Sequence, residues 1–317
     1  MADWRAMARE ALLLDGKIEA AECALIRKHL WMDGKIDREE FGFLNTLRKA
    51  EVVKASFPEH DWRTEGRVKN YWDMPTLNDG VAGAVADALL EARAVYGEKR
   101  IADALARLGD FLILAQLPEP QPGWAQQYDL KMRPIWARVF EPAAVAGRES
   151  QDAIETLLKI AAATGDRKYL APIPAALDWL QRSTLPDGRL ARYYELRTNK
   201  PLYMKRLGGK RYELTYDDSD LPGHYGWKTD SRVAGLRRRY EQQAAGRPAP
   251  QSRPDRAALA AKAEEAIRAL DDQGRWVSVF AGEALVGQPK FPAGYRYLSS
   301  AVFARNVGVL SDFLRAP

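Results

Sequence analysis

The feature that most constrains the fold of this chain is an internal repeat. Gly97 and Gly165 stand 68 residues apart, each closing a stretch with helical apolar spacing. Each is followed by a second such stretch, and these end at Leu117-Pro118 and Leu185-Pro186, again 68 residues apart. A glycine supplies the left-handed residue that follows a helix, and a proline prevents a helix from continuing. After each pair comes an aromatic and basic segment, "WAQQYDLKMRPIW" (124–136) and "LARYYELRTNKPLY" (190–203). There Ala125, Tyr128, Asp129, Leu130 and Pro134 answer to Ala191, Tyr194, Glu195, Leu196 and Pro201, with one residue inserted. The unit is helix, helix, long loop. Hairpins that repeat this way bury a shared core by stacking side by side, and their loops collect on one face, where function usually sits. The expected architecture is all-α: an α/α toroid of helical hairpins with long loops and a few short β-strands.

Helices are expected over 78–97, 98–123 with a stop at Pro118, 149–165, 166–188, 231–245, 255–271 and 299–315. In the first, Val81, Val85, Leu89 and Ala92 share one face, and Asn78 or Asp79 is the expected N-cap. Strand-like pieces cover 210–216, 274–280 and 295–299. The segment "QQAAGRPAPQSRPDRAA" (242–258) reads as an exposed loop between helices rather than a domain boundary. The N-terminus carries a different repeat, "DGKIEAAE" (15–22) and "DGKIDREE" (33–40), each a turn running into a helix. It resembles half of a calcium-binding helix-loop-helix. His29 and Trp31 stand where paired oxygen ligands would be needed, so capping and turn formation are the better reading. Residues 1–56 are therefore set apart as a helical hairpin region, weakly similar to small domains of the tellurite-resistance type, from a domain over 57–317.

Several chemistries lose their footing at once. The histidines are His29, His60 and His224, with no His-x-x-x-His pair, and Cys23 is the only cysteine. Neither fits a catalytic zinc site, and intrachain disulfides are excluded. No Gly-x-Ser-x-Gly elbow and no phosphate-cradling glycine loop occurs. No apolar run approaches the about 20 residues that span a membrane, so no membrane partner is expected. Net charge is +5, with 48 basic residues against 43 acidic ones, which suits a polyanion without demanding one. No dense basic stripe or nucleic-acid motif appears, so nucleic acid is not expected as a partner. Acid–base chemistry must come from carboxylates, Tyr, Lys or Arg.

Three segments alternate rings with arginines or acids: 123–142, 188–206 and 216–228. Aromatic rings stack on the apolar faces of sugars, and arginine forks pair with carboxylates, so the alternation favours an anionic ring polymer. Trp124, Trp136, Tyr193 and Trp227 are candidate sugar platforms or core residues. The run Asp217–Asp220 reads as a solvated turn or cation site.

The motifs "TLNDG", "WAQQYD", "RPIWARVFEP", "LARYYELRTNKPLY" and "HYGW", in that order over roughly residues 57–317, resemble the family-10 polysaccharide lyases, which are pectate lyases. The doubled Ala-Arg-x-aromatic-Glu motif, Arg138 with Glu141 and Arg192 with Glu195, is the most specific part. "QPKFPAGYRYLSSAVFARNV" (288–307) is similar to the C-terminal part of some relatives. The resemblance implies an α/α toroid that cleaves polygalacturonate or a related polyuronate by β-elimination, with calcium as cofactor. It implies Arg138 as the base, Arg192 and Arg206 as carboxylate binders, and Asp79 as a residue near the metal. Trp124, Gln127, Tyr193, Asn78 and Tyr225, from the same motifs, are the further candidate substrate contacts. A monomer, secreted or periplasmic, would follow. An acidic motif that such lyases carry upstream of "TLNDG" has no counterpart here, which keeps open a non-catalytic carbohydrate-binding protein. A hydrolase using two of Asp79, Asp129, Glu141 and Asp218 is the third possibility. A base must be neutral, so the lyase reading predicts an alkaline optimum. The plain reading of Arg138 is an ion pair with Glu141 or Glu149 that pins the loop.

Overall fold

The computed structural model describes residues 53–63, 68, 70–208, 211–247, 255–282 and 291–316. The N-terminal 18-residue repeat, and with it most of the region 1–56, lies outside these residues. The chain divides into two compact units, Met1–Ala249 and Pro250–Pro317. The division falls within the Pro- and Ala-rich stretch 242–258.

In the first unit, α1 (Val81–Tyr96) and α2 (Lys99–Ala115) form one helical pair. A second pair is α3 (Gly147–Thr164) and α4 (Ile173–Arg182), joined through a 3-10 turn at Arg167–Leu170. Helix α5 (Val233–Ala244) packs against both α3 and α4. Between and after the pairs run β1 (Ala144–Ala146), β2 (Leu190–Ala191), β3 (Tyr193–Glu195), β4 (Pro201–Gly208), β5 (Arg211–Thr215) and β6 (Lys228–Thr229). Strands β1, β3, β4 and β5 make a four-stranded antiparallel sheet in the order β1-β3-β4-β5, and β2 pairs with β6. The second unit holds α6 (Arg256–Arg268) packed on α7 (Ser300–Arg315), with the antiparallel pair β7 (Val277–Val279) and β8 (Arg296–Leu298).

The all-α toroid is therefore overturned. Of the described residues 46% are helical and 14% lie in strands of several antiparallel sheets, a mixed α and β fold. The physical reason lies in the aromatic segments. Tyr193, Tyr194, Leu202, Tyr203 and Met204 are all buried, so their backbone amides and carbonyls need partners. With no helical periodicity available, strand pairing supplies those partners. The turn from β3 to β4 is made by Arg197 and Asn199, both at positive φ (69° and 58°).

The repeat itself is present down to single hydrogen bonds. Gly97 and Gly165 both adopt left-handed φ (64° and 72°) and donate their N–H to Arg93 and Ala161. The amide of Ala125 donates to the Tyr128 hydroxyl (2.7 Å), which donates to the Ala115 carbonyl (2.7 Å). In the second copy the Ala191 amide donates to the Tyr194 hydroxyl (2.9 Å), which donates to the Ser183 carbonyl (2.6 Å). Asp129 and Glu195 open equivalent turns, their amides donating to the carbonyls of Arg133 and Lys200. Each tyrosine is an apolar body in the core with a hydroxyl that ties the loop to the preceding helix.

Helix α1 departs from its expected face. Val81 and Val85 are exposed, while Ala86 is buried and Ala82, Leu89 and Leu90 lean on the core. Its N-terminal residue is preceded by Gly80 at φ 71°, with no side-chain cap, so neither Asn78 nor Asp79 caps it. Those two side chains are left for other partners.

Candidate functional site

The loop ends of the two repeats meet over the start of α3. Gly147, the first residue of α3, donates its amide to the Arg192 carbonyl (3.0 Å), and a Cβ at Gly147 would stand 2.4 Å from the Ala191 carbonyl oxygen. Only glycine permits that approach. It brings Glu149, in the first turn of α3, beneath Arg192, where Arg192 Nη2 donates to Glu149 Oε1 at 2.7 Å. The side chains of this pair are 5% and 0% exposed. The contact is single: Glu149 Oε2 and Arg192 Nε are buried and have no hydrogen-bond partner among the described residues. Burial pushes the Glu149 carboxyl up to about 7, and Arg192 offsets only part of that.

A second ion pair stands in the equivalent loop of the first repeat. Arg138 is paired with Glu141, which is only 2% exposed while the Arg138 side chain is 38% exposed. Glu141 Oε1 also accepts from Gln126 Nε2 (2.7 Å) and from the Tyr225 hydroxyl (3.0 Å). Hydrogen bonding to Glu141 raises the Arg138 guanidinium above its already high ordinary value. The same bonds, from Arg138, Gln126 and Tyr225, hold the Glu141 carboxyl below its ordinary value against the opposing effect of burial. Of the two partners the sequence offered Arg138, the structure selects Glu141; Glu149 belongs to Arg192.

Two phenols connect the pairs. The Tyr193 and Tyr225 hydroxyls lie 2.7 Å apart, and Tyr193 donates to Gln126 Oε1. Arg192 sits 5.1 Å from the centre of the Tyr225 ring and 6.0 Å from that of Tyr193. Burial raises both phenols, so they are neutral donors across the ordinary pH range. Asn78 and Asp79 approach from the turn before α1. Asn78 Oδ1 accepts from Arg192 Nη2 (3.4 Å) and from the Asp79 amide (2.9 Å). Asp79, at φ 55°, lies close enough to Arg138 to favour its charged form. On the open side, Phe140, Tyr212, His224 and Tyr225 form a run of ring contacts with centroids 4.9 to 5.7 Å apart, and Tyr225 packs inward on the buried Trp227 at 5.1 Å. Arg206 faces Tyr212 across β4 and β5, and its charge, after burial, lowers the His224 imidazole.

The expected residues separate into two groups. Arg138, Arg192, Tyr193, Tyr225, Asn78 and Asp79 come together, with Arg206 at the far edge of the ring cluster. Trp124 and Gln127 do not join them. Trp124 is wholly buried, its indole N–H donating to the Leu112 carbonyl (2.7 Å), so its ring has no face to offer a sugar. Gln127 is buried and donates to the Tyr71 carbonyl. Trp227 is also core. Glu195 pairs with Arg63 and accepts from Thr198 and Tyr216, which ties loops together away from the Arg138 cluster. The residue that sequence reasoning missed is Gln126, the link between Glu141 and Tyr193. It occupies the repeat position of Arg192, one residue after the matched alanine, and that alignment was the available signal.

Calcium takes six to eight oxygen ligands, with carboxylates prominent. Among the described residues no three His, Cys, Asp or Glu side chains gather as a metal site. Asp79 has the Arg138 guanidinium for a neighbour, and Glu141 and Glu149 are each committed to an arginine. This donor set does not fit a calcium ion held by the protein.

No family model and no curated protein matches the chain. Among solved structures it is similar to the family 10 polysaccharide lyase from Cellvibrio cellulosa, at 17% identity and a TM-score of 0.43, over 71% of this chain and 78% of that one. A mutant of that lyase in complex with trigalacturonic acid gives 18% identity and 0.44, over 71% and 79%. At these scores the two are distant neighbours, and the functional reading stands on the site itself.

Proposed function

We propose that the chain is a lyase acting on a uronic-acid polymer by β-elimination. The observation that carries this reading is the convergence of Arg138 and Arg192, joined through Gln126, Glu141, Tyr193 and Tyr225, beside an open run of rings. Two guanidinium forks match a sugar carboxylate, and rings match pyranose faces. In β-elimination the C–H bond beside the carboxylate breaks and its electron pair forms a carbon–carbon double bond. The glycosidic C–O bond breaks in turn, and the leaving oxygen takes a proton from water. Negative charge builds on the carboxylate in the transition state, where a fixed cation stabilises it more than in the ground state.

Arg192 supplies that fixed cation: burial opposes its charge, but Glu149 and the other acidic groups around it outweigh burial and keep it charged. Arg138 is the proposed base. It faces solvent more than any other charged member of the two pairs, and its contact with Glu141 has to open before the guanidinium loses a proton. The half-buried phenol of Tyr225 orients the sugar as a neutral donor, and the wholly buried Tyr193 holds it from behind. No step is routed through calcium.

One observation favours a second reading, carbohydrate binding without cleavage: the closed Arg138–Glu141 pair opposes a neutral Arg138. The experiment that separates the two follows the ultraviolet absorbance of the unsaturated uronate. Polygalacturonate and alginate would be tested at neutral and alkaline pH, with unsubstituted chain and Arg138→Ala. An absorbance rise that grows with pH and disappears in Arg138→Ala supports the lyase. Binding without any rise supports the second reading.

A further inference from the structure

We propose that Glu149 is a positioning residue that holds Arg192 and takes up a proton from solvent when a sugar carboxylate binds to that guanidinium. The inference rests on the reading of Arg192 as a carboxylate receptor. Its ground is the geometry of the pair. A buried arginine–carboxylate pair built only for structure is expected to be bidentate, with every polar atom used. Here one contact is made, Nη2 to Oε1, and one atom on each side, Nε and Oε2, is buried without a partner.

A second carboxylate arriving at Arg192 would set two anions against one buried cation. In a poorly screened site that arrangement is unfavourable, and protonating one carboxylate removes it. Glu149 is the carboxylate to protonate, because Oε2 has nothing else to lose. The proton comes from the buffer and forms an O–H bond on Glu149, and the resulting carboxyl keeps Oε1 as acceptor for Arg192. Charged and titratable groups face Glu149 from several elements. Arg148 and Asp152 lie on its own helix, Arg192 on the β2–β3 segment, and the neutral phenols of Tyr128, Tyr193 and Tyr225 surround it. Burial outweighs every other influence and brings the carboxyl to the edge of protonation at neutral pH, with Arg192, the backbone amide of Glu149 itself and Arg148 favouring the ionised carboxylate and Asp152 opposing it.

The test begins with carbon-13 NMR of glutamate-labelled full-length chain without ligand. One carboxyl resonance, absent from Glu149→Gln, is expected to titrate near neutrality; a midpoint in the ordinary carboxylate range overturns the proposal. Calorimetry then follows binding of a galacturonate oligomer at about pH 7.5 in buffers of different ionisation enthalpy. Uptake of roughly half a proton or more per chain is expected, and none in Glu149→Gln. A merely structural Glu149 would change affinity but not proton uptake. Binding without uptake, or uptake kept in Glu149→Gln, overturns this proposal alone. Failure of galacturonate and alginate oligomers alike to bind overturns the receptor reading and the proposal with it. Should Glu149→Gln fail to fold, proton uptake by the unsubstituted chain decides, its absence refuting the proposal.

Discussion

Replacing Glu141 by Gln separates a basic Arg138 from a merely cationic one. The amide preserves the shape of the buried side chain, and its oxygen still accepts from Gln126 and Tyr225. Its nitrogen, however, takes the place of Oε2 and faces the Arg138 backbone amide, which Oε2 accepts from at 3.3 Å, while the guanidinium keeps only an uncharged oxygen in place of Oε1. The counter-ion that keeps Arg138 protonated is gone, so its pKa falls. A hydrogen bond to a charged group contributes about 1.5–3 kcal/mol when buried, and an exposed ion pair less than about 1. With 38% of the Arg138 side chain exposed, about 1 kcal/mol is the appropriate scale. At 1.36 kcal/mol per pH unit this displaces the titration by somewhat under one unit. On the acid side of the optimum, the neutral fraction of Arg138 therefore rises about fivefold. The assay is the pH dependence of kcat/KM for formation of the unsaturated uronate. The expected outcome is a profile moved toward acid pH and higher activity at neutral pH, an unusual gain from deleting a buried charge. Lower activity at every pH with an unmoved profile would refute the base role of Arg138 and leave it as a carboxylate-binding cation.

The remaining predictions concern the frame and the pH dependence of stability. Tyr128→Phe and Tyr194→Phe each strand a buried amide and a buried carbonyl, and should each cost about 2 kcal/mol or more, read as a fall in apparent melting temperature. Equal losses would show that the two repeats do the same structural work, and a change under about 0.5 kcal/mol in either would contradict it. Gly147→Ala drives a Cβ toward the Ala191 carbonyl and should cost about 1–3 kcal/mol while weakening oligosaccharide binding through the displaced Arg192. Thermal melts will test whether the binding loss exceeds the stability loss. For Glu149, a folded-state value of about 7 against 4.5 means that the folded chain binds the proton more tightly. That contribution, about 3 kcal/mol at most, is present below about pH 4.5 and is lost as pH rises through about 7. The melting temperature should fall over that window, with a shallower slope in Glu149→Gln.

The repeat was readable because its signals are local. Left-handed glycines, terminating prolines and a tyrosine bonded to an alanine three residues earlier all act within one turn of chain. The strand-like pieces 210–216, 274–280 and 295–299 were readable too and hold β5, β7 and β8, whereas β1 to β4 and β6 were not. What turns 190–208 into strands is the burial of Tyr193, Tyr203 and Met204 against helices distant in sequence, and burial is set by the whole fold. The same limit explains the rings. Trp124 and Tyr225 look alike in a motif, yet one donates to a helix carbonyl in the core and the other bridges two arginine pairs. Arg138 and Arg192 were readable as chemistry, but their partners were not: Glu149 is eleven residues from Arg138 and forty-three from Arg192, and it pairs with the more distant one.

The site arises where the two repeats differ. Gln126 and Arg192 occupy the same place after the matched alanines, so each points a long polar side chain from an equivalent loop. Had both been arginine, two buried cations would have met between Tyr193 and Tyr225. With one neutral, Gln126 gives its amide to Glu141 and takes the Tyr193 hydroxyl, and Arg192 keeps Glu149. Within the two pairs charge is balanced, two guanidinium groups against two carboxylates, with Asp79 beside Arg138 as a third carboxylate. The pairs are unequal in exposure, with Arg138 partly in solvent and Arg192 almost wholly buried. An anionic sugar therefore meets a site with no spare positive charge, and it is accommodated only if a carboxylate gives way. Glu141 is anchored by three residues and held acidic, whereas Glu149 has one side-chain partner and an idle oxygen. The carboxylate that yields is the one on α3, and a count of protons taken up on binding reads it directly.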